Sequence, residues 1–352
     1  MGVLVIVGTD KGAFLLRSDT ARAHWKIQGP LFKGWKVTTV ARDASGRYFV
    51  ATASDVYGQA LHVSEDLDNW RQIENGPAWA KDTERKLNQI WTLNLQTSRF
   101  YAGVDEAGLF ASEDGGESWS PIEGLNEHPT RDSWYPGAGG LCAHAVLTDP
   151  KNSKRIWCGI SAVGVFRSDD GGLTWEIKNQ GIPMVIEDKQ HKEIGRCVHG
   201  LVADPNDADT IYRQEHTGMF RTRDGGDTWQ RIENGLDSSF GFPIAIDRTS
   251  KTLYIIPLES DEYRIPIDGR FRVYRSANGG DTWDPLTNGL PQENAYMGVL
   301  RDALAVDHLD PCGVYVGTTA GTVHVSNDAG DSWTQVSCIL PRILSVSVYM
   351  QE

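Results

Sequence analysis

The sequence predicts an all-β fold: a seven-bladed β-propeller of four-stranded antiparallel blades, with residues 1–352 forming a single domain. Three observations predict it. A polar turn closed by a tryptophan recurs at residues 112–119 (SEDGGESW), 168–175 (SDDGGLTW), 222–229 (TRDGGDTW), 276–283 (SANGGDTW) and 326–333 (SNDAGDSW), with degraded copies at 64–70 and 18–25. The closing tryptophans, at 25, 70, 119, 175, 229, 283 and 333, stand 45 to 56 residues apart, the length of one propeller blade. The two ends of the chain carry complementary parts of a blade, three strands within residues 3–29 and one alternating strand at 343–349.

Each element follows from local chemistry. The innermost strand is clearest in HAVLTDP (144–150) and HGLVADP (199–205), where valines and leucines end at an Asp-Pro turn. The second strand follows as RIWCG (155–159), TIYR (210–213) and GVYVG (313–317). A third, such as GVFRS (164–168), runs into the polar turn, and a fourth, WEIK (175–178), leaves it. β-Branched and aromatic residues at alternate positions suit strands buried between neighbouring blades. In the turn, glycines accept positive φ, Asp or Asn caps free amides, and the Trp anchors the next strand. The C-terminal strand is expected to pair with the N-terminal three, closing the ring and leaving few exposed edges.

This strand order places the tryptophan-closed turns on one face and the long loops on the other. The long loops run through 76–86, 123–140, 181–195 and 289–300, with an enlarged insertion at 257–270. Long loops on a rigid scaffold are where function usually resides. They carry Trp79, Trp134, Tyr135, Tyr263 and Tyr296 among acids and arginines, a mixture suited to a polyhydroxylated ligand.

Composition narrows the classes. A net charge of −13 argues against sequence-independent binding to nucleic acid or to an anionic membrane. Five cysteines with no C-x-x-C spacing read as reduced thiols, and the N-terminus reads as a strand rather than a signal peptide. A cytoplasmic location is the expectation. Oligomeric state is not legible.

Counting back five residues from the Asp that ends each innermost strand (Asp149, Asp204, Asp247, Asp307) reaches His144, His199, Phe242 and Asp302; the same count from Asn94 reaches Gln89. Polar groups at one level of a central channel are unusual, since a packing layer would be Val, Ile or Ala. Arg301 and Arg196 stand just above this level, and Glu215-His216 occupies a turn beside the same mouth. The first reading is catalysis, with Asp302, His144, His199 and Glu215 as acid/base groups and Arg301, Arg196, Gln89, His216, Trp134 and Tyr263 binding substrate. The second is a divalent metal held by His144 and His199 with a third ligand from Asp302, Gln89 or His216. The third is a channel that is polar because water fills it.

The repeated S-x-D-G-G-x-[ST]-W pattern resembles the Asp-box, or bacterial neuraminidase repeat, of sialidases, sortilin-type receptors, xyloglucanases and a photosystem II assembly propeller. The resemblance implies that the boxes are structural and lie away from any active site. It departs from sialidases, which have six blades and an Arg-Ile-Pro early in the chain; here Arg264-Ile265-Pro266 sits inside the insertion. Xyloglucanases join two such propellers around a cleft, and one is present here. The photosystem II propeller is an exported, arginine-patched binding protein, whereas this chain is acidic. The resemblance therefore implies a sialidase-like, glycosyl-hydrolase-like carbohydrate-active protein, with two alternatives. One is a non-catalytic scaffold binding a protein or glycan on the loop face; the other is a metal-dependent lyase or hydrolase using the histidine pair.

Overall fold

The computed structural model describes residues 2–351 and forms the expected ring of seven four-stranded antiparallel sheets. Six blades begin with the strands Lys36–Arg42, Gln89–Asn94, Ala143–Thr148, Gly200–Asp204, Gly241–Ile246 and Leu304–Val306. These first strands touch one another in sequence around the ring and line its centre. The seventh blade combines Gly2–Thr9, Gly12–Asp19 and Lys26–Leu31 with the C-terminal strand Ile343–Gln351. That strand pairs with the N-terminal one from Gly2↔Gln351 to Thr9↔Ile343, so the two ends of the chain close the ring as expected. Among the described residues no helix is long and apolar enough to cross a membrane.

The Asp at the end of five of these first strands, and Asn94 in the sixth, caps the turn that follows. Asp149 Oδ1 accepts from the Lys151 amide at 2.8 Å and Asp247 Oδ1 from that of Thr249 at 3.0 Å. The tryptophan-closed turns are built alike. In residues 168–175, Asp170 Oδ1 accepts from the Thr174 amide at 3.0 Å and from Ser168 Oγ at 2.8 Å, while Gly171 and Gly172 adopt φ of 84° and 94°. Some boxes also sew neighbouring blades together. Trp229 Nε1 donates to Lys178 O, and Trp283 Nε1 to Ile232 O, each at 2.9 Å and each in the preceding blade. In the degraded copy at 18–25, Arg22 takes over this role: it donates to Asp307 at 3.1 Å and to Pro311 O and Asn327 O at 3.0 Å, tying the seventh blade to the sixth.

With the boxes on one face, the long loops gather on the other. Tyr135, Tyr263 and Tyr296 stand exposed there. Trp79 is turned inward, 4.8 Å from Phe110. Trp134 does not present a stacking face either: it is 7% exposed, packs on Phe166, lies under Arg131, and donates from Nε1 to Thr130 Oγ1. Its apolar surface folds the loop onto the propeller, which removes it from the set of ligand-stacking aromatics.

Candidate functional site

The loop face holds a cavity of about 230 Å³ at the mouth of the channel. Its walls come from the glycine-rich segment 137–140, from Cys197, His199 and His216, from Phe240 and Phe242, from Asp261 and Arg264 of the insertion, and from Arg301. Three expected residues, His199, His216 and Arg301, therefore meet in one enclosed space.

Arg301 is the distinctive group. Its guanidinium carbon lies 5.1 Å from the Phe242 ring centroid and 5.5 Å from that of Trp91. Among the described residues it forms no salt bridge, and its Nε has no hydrogen-bond partner. Burial lowers its pKa below the ordinary arginine value, with the neighbouring Asp302 pulling the other way. Gly139 makes room for it: a Cβ there would stand 3.4 Å from the guanidinium. Arg264 also approaches Phe242, its guanidinium carbon 5.5 Å from the ring centroid, so two cationic side chains of the cavity wall meet one aromatic ring.

Asp302 enters the channel next to Arg301. Burial raises its carboxyl to about 7, although Arg301 and a hydrogen bond from Trp91 favour the ionised form. His144 and His199 are both buried, and desolvation holds both well below the ordinary histidine value, so they are neutral imidazoles at pH 7. His144 Nε2 has no hydrogen-bond partner among the described residues. His199 instead donates from Nδ1 to Gly241 O at 2.7 Å, a bond between consecutive blades.

Other expected residues lie elsewhere. Arg196 is spent on its own loop, donating to the carbonyls of Ile182, Lys192 and Ile194, so it is not free to clamp a ligand. Glu215 is fully buried, accepts from Thr217, faces Arg213 at 3.9 Å and does not line the cavity. Gln89, Tyr263, His144 and Asp302 do not line it either. The one group of three ligand-bearing side chains among the described residues is Cys197, His199 and His216, not the His144–His199 pair. His144 lies on the preceding blade and is not in that group, whose three members come from a single blade.

Several wall residues were not anticipated. Cys197 stands two positions before His199, a C-x-H signal that the strand count passed over. Arg264 belongs to the Arg-Ile-Pro of the insertion, whose place departs from the sialidase pattern. Phe240 carries nothing in its local sequence that separates a channel aromatic from a core one, and neither does Trp91, which meets Arg301 from outside the wall.

The ring and its mouth define a seven-bladed propeller with a closed pocket on the loop face. No family model matches the chain. Its sequence is 24% identical over 277 residues to the xyloglucanase Xgh74A of Acetivibrio thermocellus, covering 68% of this chain and 30% of that protein. The chain thus spans under a third of the length of that curated relative. Among solved structures, an ancestral GH74 enzyme superposes with a TM-score of 0.57 at 18% identity, over 85% of this chain and 38% of that one. YCF48 bound to D1 peptide superposes with a TM-score of 0.55 at 13% identity, over 86% and 84%. These structural likenesses show the fold.

Proposed function

We propose that this protein is a carbohydrate-active propeller of the glycoside-hydrolase kind, related to the Asp-box sialidase-like group, and that it takes an acidic glycan in the cavity at the channel mouth. The observation that carries this reading is Arg301, a half-buried residue whose guanidinium stands against two aromatic rings with no salt-bridge partner among the described residues. An unpaired charge in a desolvated site is costly, and an anionic ligand would remove that cost. The relationship to xyloglucanases supports a sugar as that ligand, and so do the exposed tyrosines on the same face.

In this reading Arg301 and Arg264 hold the anionic group while Phe242 offers a ring face to the sugar. Asp302, next in the chain to Arg301 and protonated up to about pH 7, is the residue this reading assigns as proton donor to the leaving oxygen, although it stands outside the cavity wall of the free protein. His199 and His216 shape the wall and donate or accept hydrogen bonds. Screening acidic and neutral oligosaccharides for binding and cleavage, with Asp302→Asn alongside, tests it. Cleavage by the wild type and binding without cleavage by Asp302→Asn is the expected pattern. Binding with no cleavage by either would favour the scaffold reading.

A further inference from the structure

We propose that Cys197, His199 and His216 form a binding site for a divalent cation of the zinc class in the wall of the cavity. The Cys197 Sγ and one nitrogen of each imidazole lie within 4.8 Å of one another. All three residues face the same enclosed space. Local folding brings them together: Cys197 and His199 lead into the strand Gly200–Asp204, His216 follows the strand Asp207–Gln214, and the His199 amide donates to Gln214 O at 2.9 Å.

The second argument is that both imidazoles are already oriented. His199 Nδ1 lies 2.7 Å from the Gly241 carbonyl, which can only accept, so Nδ1 carries the proton and Nε2 keeps its lone pair. His216 Nε2 lies 3.0 Å from Asp261 Oδ2; the carboxylate accepts, leaving Nδ1 free. Metal-ligating histidines usually hold their other N–H in this way, against a carbonyl or a carboxylate. The two rings reach this state through unrelated elements, the next blade for one and the insertion for the other.

The donor set selects the ion. A thiolate with two imidazoles suits Zn²⁺ and its neighbours, whereas Mg²⁺ and Ca²⁺ prefer oxygen. Ligand bonds of about 2.0–2.3 Å require the three atoms to draw together by roughly 1 Å, which the half-exposed turn at His216 can provide. Binding displaces the Cys197 proton to solvent and forms a Zn–S bond with no change of oxidation state. One unit of positive charge is added beside Arg301, and the Asp261 carboxylate stands behind His216 to offset it. The cavity supplies the open fourth position.

This site stands apart from the glycan reading, because its occupancy is read with no sugar present. Metal-free full-length protein is titrated with Co²⁺ and followed by absorption. The expected result is one Co²⁺ per chain, with tetrahedral visible bands and a near-ultraviolet thiolate charge-transfer band, all displaced by Zn²⁺. Cys197→Ser should abolish the charge-transfer band. His216→Ala, at a half-exposed turn that tolerates truncation, should weaken Co²⁺ binding more than tenfold, and Asp261→Asn by about 10–100-fold. A folded wild type without the charge-transfer band overturns the proposal. So does a band that survives Cys197→Ser, or an affinity unchanged by His216→Ala.

Discussion

Arg301 places its guanidinium carbon 5.1 Å from the centroid of Phe242, and no carboxylate among the described residues closes a salt bridge with it. The two residues come from different blades, so the pairing is a property of the closed ring rather than of either repeat. A cation stacked on an aromatic face recovers roughly 0.5–2 kcal/mol, less than desolvating an isolated guanidinium costs. The site therefore holds unrelieved charge in the absence of ligand.

From this follows a stability prediction. Arg301→Met keeps the side-chain volume and removes the unpaired charge, so the variant should gain about 1 kcal/mol or more. Thermal melting measures it. A variant less stable than the parent would mean that the guanidinium is already satisfied in the free protein.

Asp302 gives a pH signature. Its folded pKa, raised to about 7, lies above the ordinary value of about 4, so the ionised form is penalised in the fold. The stability contribution is fully present below about pH 4, declines as pH rises through the interval to about 7, and is flat above it. Asp302→Asn should lose that decline. Chemical unfolding at pH 5 and pH 8 for both proteins checks the sign; a wild type whose difference matches that of Asp302→Asn contradicts the assignment.

The box aspartates titrate in the opposite sense. Asp170 is lowered to about 2 by its bonds to Thr174, and Asp66 and Asp114 are lowered by their own turn bonds. Their contribution is present above about pH 4 and is lost as pH falls towards 2. Asn278 already makes the same bonds in its box, accepting from the Thr282 amide at 3.0 Å without titrating there. Asp114→Asn with Asp170→Asn should therefore fold normally and shift acid unfolding to lower pH. An unchanged acid midpoint would show that these turns do not govern it.

Ring closure is testable by deletion. Removing 343–352 strips the seventh blade of the strand that pairs along the whole of Gly2–Thr9 and leaves the apolar edge of Gly2–Thr9 unpaired. Loss of soluble, cooperatively unfolding protein is expected. A truncated chain that melts like the parent would refute the role given to this strand.

The ring was legible because its signals are local and repeated. Five turns repeat the cap and the glycine of Asp170 and Gly172, and the two degraded copies still end in tryptophan at the same spacing, so the series gives the blades. The level of the channel was legible too, since Asp149 and its equivalents cap the same turn in each blade. What each channel residue does was less so. Arg196 and Arg301 look alike in sequence, yet one is used up by the carbonyls of its own loop and the other stands free between two rings. Glu215 and His216 are adjacent, but the turn after the strand Asp207–Gln214 buries the first against Thr217 and Arg213 and brings the second to the cavity. The hydrogen bonds that orient His199 and His216 come from Gly241 and Asp261, residues 42 and 45 positions away.

Whether the cavity around Arg301 receives an anionic sugar, as proposed, is decided by binding of wild type and Arg301→Met to an array of acidic and neutral glycans. The wild type should retain at least one acidic glycan. Arg301→Met, folded and at least as stable, should lose about 1.5–3 kcal/mol of that affinity, roughly ten- to hundredfold. Equal retention of the same glycans by both proteins, or retention of neutral glycans alone, would contradict it.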